Sequence, residues 1–312
     1  MTAFGAKSNE ESIESGPSPD LEIQRVPSGT SAEKIAELLL RDGAVVVTGL
    51  LGLDTVAELN SDLDPYVSAR SSGFGDGLQG DFFGATTVRV QGLAMKSDVF
   101  VSECLLDPTL LGVMDLVLLP NCGDYWLSLA GLIFLQPGDK AQVLHRDDIN
   151  WAIPARLGID LQVSAMIAIG DFDAEAGATM VIPRTHRLPI DQAVDPRLAQ
   201  PVDLERGDAV LWLGSTLHQG GANQTSDRVR KGLYLSYMLG WLVPEEASAL
   251  SLTPSRVEEL PDRARQLLGM TSLKGNPADD ATNPDMQLWQ VDKFEVSRVG
   301  SNFTNRTNLL SD

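Results

Sequence analysis

The chain contains only three histidines, His145, His186 and His218, so few sets of metal ligands need testing. Asp147 follows His145 at a spacing of two residues. Because side chains alternate between the two faces of an extended strand, this His-x-Asp spacing puts an imidazole and a carboxylate on one face. Asp148 is then expected to point to the opposite face. The triplet alone is weak evidence, since it also occurs as a surface pair.

Two histidines and one carboxylate form the ligand set that holds Fe(II) on one octahedral face and leaves the other positions open. A third ligand must therefore come from another part of the chain. His218 lies far enough beyond Asp147 for several strands to intervene, and it follows a turn and an apolar segment at 207–214. His186 lies in a loop bounded by prolines and is predicted to be a hydrogen-bonding loop residue. The predicted metal ligands are His145, Asp147 and His218.

Two arginines follow His218, beyond a turn rich in Gly and Asn. A buried arginine near a metal can bind a carboxylate through two parallel hydrogen bonds and so fix an acidic cosubstrate. Arg230 precedes the apolar segment 231–238, whereas Arg228 lies two residues earlier and would share its face if the strand began there. Periodicity does not choose between them, but the position nearer the core favours Arg230.

The elements that must position these residues are short apolar segments separated by Pro, Gly and Asp. Such spacing is typical of an all-β sandwich or barrel. Strands are predicted at 125–136, 142–145, 161–169, 178–182, 209–213 and 232–239.

The N-terminal part has helical patterns instead. Helices are predicted from Ser31 to Gly43 and over 53–63, the second ending before Pro65, with a β-branched strand at 44–48 between them. The fold class is therefore mainly β with flanking helices, a jelly roll with an N-terminal helical layer.

The segment 71–84 contains five glycines and three phenylalanines, which suits either a mobile lid over a pocket or an ordinary surface loop. Aromatic candidates for the pocket wall are Phe74, Phe82, Phe83, Trp126 and Trp151.

Three regions are predicted: a disordered tail at 1–22, a jelly-roll domain at 23–243, and a helical and loop extension at 244–312 that packs on the core. The formal net charge of −19 disfavours a nucleic-acid partner. The sequence has neither an apolar run of membrane-spanning length nor an N-terminal signal peptide, which predicts no membrane partner and a cytoplasmic protein. Cys104 and Cys122 are predicted to be reduced packing residues.

Five motifs in order carry a resemblance. They are Asp42-Gly-Ala-Val-Val-Val, Gly123-Asp-Tyr-Trp-Leu-Ser, Gln142-Val-Leu-His-Arg-Asp-Asp148, Gly177-Ala-Thr-Met-Val-Ile-Pro-Arg-Thr-His-Arg187 and His218-Gln-Gly-Gly-Ala-Asn with Arg230. Over approximately residues 33–243 the chain resembles the phytanoyl-CoA dioxygenase family. It is most similar to the fungal secondary-metabolite members that form verruculogen or tailor meroterpenoids. The resemblance implies a double-stranded β-helix (cupin-like) core with Fe(II), 2-oxoglutarate and O2.

Carried over by position, the family pattern makes the three predicted ligands the iron ligands and Arg230 the partner of the distal carboxylate of 2-oxoglutarate. Thr179 matches a threonine that also contacts this cosubstrate. Gln142 matches a glutamine near the carboxylate closer to the metal. Arg228 stays open, because the distance between histidine and arginine varies in the family.

The activity that the resemblance implies is oxidation of a small hydrophobic metabolite in secondary-metabolite biosynthesis. Hydroxylation is the default outcome, with desaturation, epoxidation or rearrangement as alternatives. Asp147 argues against halogenation, since halogenating relatives leave that position vacant. Two other functions stay open: a cupin-like metal-dependent isomerase or hydrolase, and a non-catalytic jelly-roll binding protein. Oligomeric state also stays open, and the resemblance suggests a homodimer.

Overall fold

A computed structural model of the chain describes residues 22–69 and 77–271. The predicted tail up to residue 21, the first part of the predicted lid, including Phe74, and the extension beyond residue 271 lie outside the described residues. The described strands are β1 (Arg25–Pro27), β2 (Ala44–Thr48), β3 (Val88–Gln91), β4 (Tyr125–Leu135), β5 (Gln162–Ala168), β6 (Thr179–Val181), β7 (Gln200–Pro201), β8 (Ala209–Leu213), β9 (His218–Gly220) and β10 (Arg230–Leu239). The α-helices are α1 (Ala32–Asp42), α2 (Leu53–Ser68), α3 (Leu78–Phe83), α4 (Pro108–Val117), α5 (Ala152–Ala155), α6 (Pro254–Glu259) and α7 (Asp262–Leu267).

Helix α1 begins and ends as its capping residues predict. The Ser31 hydroxyl accepts a hydrogen bond from the amide of Lys34, and Gly43 adopts a left-handed conformation whose amide donates to the Leu39 carbonyl. A Cβ at Gly43 would also lie 2.5 Å from Nδ1 of His186. Glycine is therefore required here both by the backbone conformation and by the close approach of a buried side chain.

The predictions for two other segments are wrong in part. Helix α2 does not stop before Pro65 but continues to Ser68, because its last turn is closed by a hydrogen bond from the Ala69 amide to the Pro65 carbonyl and Val67 packs on the core. The predicted loop at 71–84 contains helix α3, whose two phenylalanines pack together edge to face.

Two sheets form the β core. The larger has the order β1-β2-β8-β5-β10-β4-β3, and the smaller has the order β7-β6-β9. All pairings are antiparallel except that of β1 with β2. Two sheets of antiparallel strands that face one another across a core are the layers of a jelly roll.

Strand β8 shows how the core is divided. Leu211 lies in the main hydrophobic cluster, which includes residues of α1, α2, α4 and α7. Its neighbours Val210 and Trp212 point the other way, into a second cluster that includes Val181 of the smaller sheet. Both faces of the large sheet are thus buried, which explains why β8 is an uninterrupted apolar run.

Most predicted strands are present within one or two residues of their expected bounds, but no strand covers 142–145. That segment makes an isolated bridge at His145. The division into regions at residues 22 and 243 stays a prediction. None of the helices within the described part of the chain has the length and apolar character that a membrane span requires.

Candidate metal centre and pocket

The three predicted ligands lie together. His145 and His218 exchange two backbone hydrogen bonds of 3.0 Å each, which sets their side chains next to one another. Arg146 is extended, and Asp147 then begins a 3-10 turn rather than continuing a strand. The Asp147 Oδ1 atom lies 3.7 Å from Nε2 of His145 and 3.4 Å from Nε2 of His218, so the three donor atoms converge.

Backbone carbonyls orient both imidazoles. Nδ1 of His145 lies 2.8 Å from the carbonyl oxygen of Val143, and Nδ1 of His218 lies 3.0 Å from that of Thr216. A carbonyl oxygen only accepts hydrogen bonds, so each Nδ1 must carry the proton. In the neutral rings the lone pair is therefore on Nε2, the atom that faces Asp147. Metal-binding histidines are held in this way by a hydrogen bond on the other ring nitrogen.

The two oxygens of Asp147 have different surroundings. Oδ2 accepts hydrogen bonds from Ser164 Oγ at 3.0 Å, Trp212 Nε1 at 3.1 Å and Tyr234 Oη at 3.3 Å. These three donors fix the carboxylate and leave Oδ1 directed towards the imidazoles. The sequence did not single out these three residues, although all lie on strands of the large sheet.

Asp147 and His145 have protonation states that suit metal binding, whereas the charge and hydrogen bond of Asp147 outweigh burial and raise the pKa of His218. Burial alone would raise the pKa of Asp147, but the charge and hydrogen bond of His218 hold it well below its usual range. Burial and the neighbouring His218 lower the pKa of His145 to about 4. At neutral pH the carboxylate is therefore ionised and His145 is neutral, which are the forms that bind cations.

Arg230 lies in the same pocket with no anionic partner. Its side chain is 3% exposed and its guanidinium lies 4.9 Å from the Phe172 ring centroid. No carboxylate of the described residues is within ion-pair distance of it, and its Nε has no hydrogen-bond partner. Burial and the nearby Arg89 lower the pKa of Arg230 to about 9. A buried guanidinium in this state is a site for an anion.

Arg228 lies elsewhere and is already paired. Its guanidinium forms ion pairs with Asp173 and with Glu175 at the surface. Arg228 does not line the pocket that contains the three ligand atoms, whereas Arg230 does.

Thr179 and Gln142 both line the pocket beside the ligand residues. Thr179 is buried on β6, directly opposite Gly220 of β9. The Gln142 side chain accepts from the Gly220 amide at 2.9 Å and donates to the carbonyl of Phe82 at 3.2 Å. A Cβ at Gly220 would lie 2.8 Å from the Gln142 Oε1 atom, so this side of the pocket depends on glycine.

The pocket is a cavity of about 340 Å³. Its polar lining includes Arg89 and Glu245, two residues that sequence reasoning missed. Phe82 and Phe83 contribute to the wall as predicted, whereas Trp126 and Trp151 do not line the pocket and pack against the main core instead. The apolar part of the wall is formed by Phe82, Phe83, Leu129, Ile133, Leu135, Ile149 and Met166. A small cavity with apolar walls and a few charged groups suits a small organic ligand.

The remaining residues considered from the sequence contribute no atom to the group of three ligand atoms. His186 is buried, and its Nε2 lies 3.0 Å from the Leu40 carbonyl oxygen, so the predicted hydrogen-bonding role is confirmed. Asp148 is buried beside the centre, and burial raises the pKa of Asp148 to about 6. Cys104 and Cys122 are buried and free, as expected.

Comparisons with known proteins agree on one family and one fold. The sequence profile of the phytanoyl-CoA dioxygenase (PhyH) family matches residues 39–232. Dioxygenase cdmA of Talaromyces verruculosus is 31% identical over 280 residues, or 88% of this chain and 92% of that protein. Dioxygenase FrzG of Cladobotryum sp is 30% identical over 80% of this chain and 88% of that protein. The solved structure of the epimerase SnoN in complex with Fe3+, alpha ketoglutarate and nogalamycin RO superimposes with a TM-score of 0.53 at 21% identity, covering 70% of this chain and 88% of that one. The predicted fold class is thereby confirmed.

Proposed function

This chain belongs to the phytanoyl-CoA dioxygenase family, and from that membership we infer that it is an Fe(II)- and 2-oxoglutarate-dependent dioxygenase that oxidises a small hydrophobic metabolite in secondary metabolism. The similar proteins cdmA and FrzG are named as dioxygenases, and SnoN was solved in complex with Fe3+ and 2-oxoglutarate. The observation that carries the proposal is the convergence of two imidazole Nε2 atoms and one carboxylate oxygen in the same pocket as a buried arginine that has no ion-pair partner among the described residues.

The residues fit the cofactor. His145, Asp147 and His218 would hold Fe(II), because two imidazoles and one carboxylate are a ligand set that suits this metal. When bound, Fe(II) and 2-oxoglutarate supply an O2-dependent oxidation that is coupled to decarboxylation of 2-oxoglutarate to succinate and CO2. The hydrogen bonds from Ser164, Trp212 and Tyr234 to Oδ2 of Asp147 would keep its Oδ1 atom directed towards the metal position.

The protein's other contributions are binding and exclusion of water. Arg230 would bind the distal carboxylate of 2-oxoglutarate through its planar fork, supported by Thr179. Gln142 would contact the carboxylate nearer the metal. The apolar wall would orient the substrate and keep water from the reacting atoms. The orientation of the bound substrate would decide between hydroxylation and the other oxidative outcomes.

The two competing functions leave observed features without a role. A metal-dependent isomerase or hydrolase has no use for a buried arginine that lacks an anion. A non-catalytic binding protein has no use for three converging ligand atoms. Cytoplasmic location and a homodimeric state stay predictions.

Anaerobic visible absorption tests the proposal. Metal-free protein titrated with Fe(II) and then with 2-oxoglutarate should develop a metal-to-ligand charge-transfer band. His218→Ala should lose the band, whereas the control His186→Gln, which replaces an imidazole outside the pocket, should keep it. Folded wild-type protein without the band, or His218→Ala with the full band, would contradict the proposal.

A further inference from the structure

A carboxylate lies in the pocket without a cationic partner. Glu245 lines the same cavity as the three ligand residues. Within residues 22–69 and 77–271, no lysine, arginine or histidine side chain forms an ion pair with it. Glu245 occupies an exposed position at the edge of this cavity. Partial desolvation there and the charge of Asp147 raise the pKa of Glu245 to about 7. A cation beside Glu245 would favour its charged form.

The Glu245 carboxylate is held in place rather than free to swing. One oxygen accepts from Asn150 Nδ2 at 2.7 Å and the other from Ser128 Oγ at 3.1 Å. The neighbouring residue Glu246 fixes the backbone next to Glu245. The Glu246 amide donates a hydrogen bond to the Ser128 carbonyl, and the Glu246 carboxylate accepts one from the Gly92 amide. A carboxylate has about four acceptor sites, so two donors leave capacity for a ligand.

The charges of the pocket are separated along β4. Arg230 pairs with Leu135 at one end of this strand, and Glu245 bonds to Ser128 near the other end. The strand between Leu135 and Ser128 spans about 20 Å. The pocket therefore has a cationic end, where Arg89 and Arg230 lie, and an anionic end at Glu245, and its lining also includes the three ligand residues and the apolar wall.

We propose that Glu245 is a specificity-determining residue that binds a protonated amine of the substrate while the apolar body of the substrate lies against the pocket wall. The distal carboxylate of 2-oxoglutarate would take the cationic end, so the anionic end is left for the molecule that is oxidised. That this molecule is a substrate rests on the proposed function. The pocket's preference for an apolar ammonium ion does not depend on it.

The simpler explanation is that Glu245 only tethers the turn after Asp147, through Asn150, to β4. Two substitutions separate the explanations. Glu245→Gln removes the charge but keeps groups that can bond to both Ser128 and Asn150. Asn150→Ala breaks the tether but keeps the charge.

The test is calorimetric binding of octylammonium, 1-octanol and octanoate, which share one chain and differ in charge. Each is titrated into protein loaded anaerobically with Fe(II) and 2-oxoglutarate, and into metal-free protein. Wild type should bind octylammonium about tenfold more tightly than octanol, because a hydrogen bond between two charged groups is stronger than one to a neutral hydroxyl, although solvent screens part of the gain at an exposed carboxylate. Octanoate should bind most weakly to the loaded protein, in which 2-oxoglutarate would already occupy Arg230.

Glu245→Gln should lose the preference for octylammonium, whereas Asn150→Ala should keep it. The control Glu258→Gln makes the same charge change on an exposed part of α6, outside the pocket lining, and should behave as wild type. Equal binding of octylammonium and octanol by wild type overturns the proposal, as does a preference that survives in Glu245→Gln. Absence of the charge-transfer band together with a Glu245-dependent preference would reject the proposed function and retain this inference.

Discussion

Replacing Arg230 by lysine keeps the positive charge but removes the planar fork that two parallel hydrogen bonds to a carboxylate need. Arg230 is buried and lacks an anionic partner, so bound 2-oxoglutarate would receive hydrogen bonds that are shielded from water. Loss of one hydrogen bond to a charged group costs about 1.5–3 kcal/mol. We therefore expect Arg230→Lys to weaken 2-oxoglutarate binding by about 10- to 150-fold.

The assay is titration of the Fe(II) protein with 2-oxoglutarate under anaerobic conditions, followed at the charge-transfer band. Arg228→Lys is the matched control, because Arg228 already pairs with Asp173 and Glu175 at the surface. Arg228 does not line the pocket, and surface substitutions of this kind usually change free energies by less than about 0.5 kcal/mol, so the control should change 2-oxoglutarate affinity by no more than about twofold. A large loss in Arg228→Lys together with normal binding in Arg230→Lys would refute the reasoning.

Two further substitutions test the supports of the site. Ser164→Ala removes one of the donors that fix Asp147, and we expect Fe(II) affinity, measured against a competing chelator, to fall about tenfold; unchanged affinity would show that the remaining donors suffice. Gly43→Ala should lower the free energy of unfolding in urea by more than about 2 kcal/mol, because its backbone is left-handed and its Cβ would meet His186. The control Gly29→Ala has a similar left-handed backbone with open space around it and should cost only about 1 kcal/mol, so equal losses would refute the steric argument.

Local signals made the first helix and the buried strands predictable. Ser31 and Gly43 are adjacent in sequence to the helix that they cap, so α1 follows from a short window. The apolar run of β8 reflects burial of both sheet faces, which the sequence displays directly. The His-x-Asp spacing predicted two ligands on one face, and extended Arg146 preserves that alternation although no strand forms there.

The features of the pocket that the sequence did not predict depend on contacts between residues far apart in the chain. The amide of Gln142 donates to the Gly220 carbonyl, so the segment before His145 is held by a distant strand rather than by its own pattern. Arg89 lies in a short alternating segment that is typical of an edge strand. Glu245 stands in Pro244-Glu245-Glu246, which is typical of a solvated turn, and its hydrogen bonds from distant Ser128 and Asn150 hold it beside the pocket.

The net charge of −19 is a poor guide to the ligands of this pocket. Charges at the protein surface are screened over about 8–10 Å at moderate salt, so most of the acidic residues act weakly on the buried site. Arg89 and Arg230 lie within it, and their mutual repulsion contributes to the lowered pKa of Arg230. That repulsion is relieved when a dicarboxylate binds, so an acidic protein can favour an acidic cosubstrate. The same pocket can accept a cation at Glu245, because the two kinds of charge lie towards opposite ends of one strand.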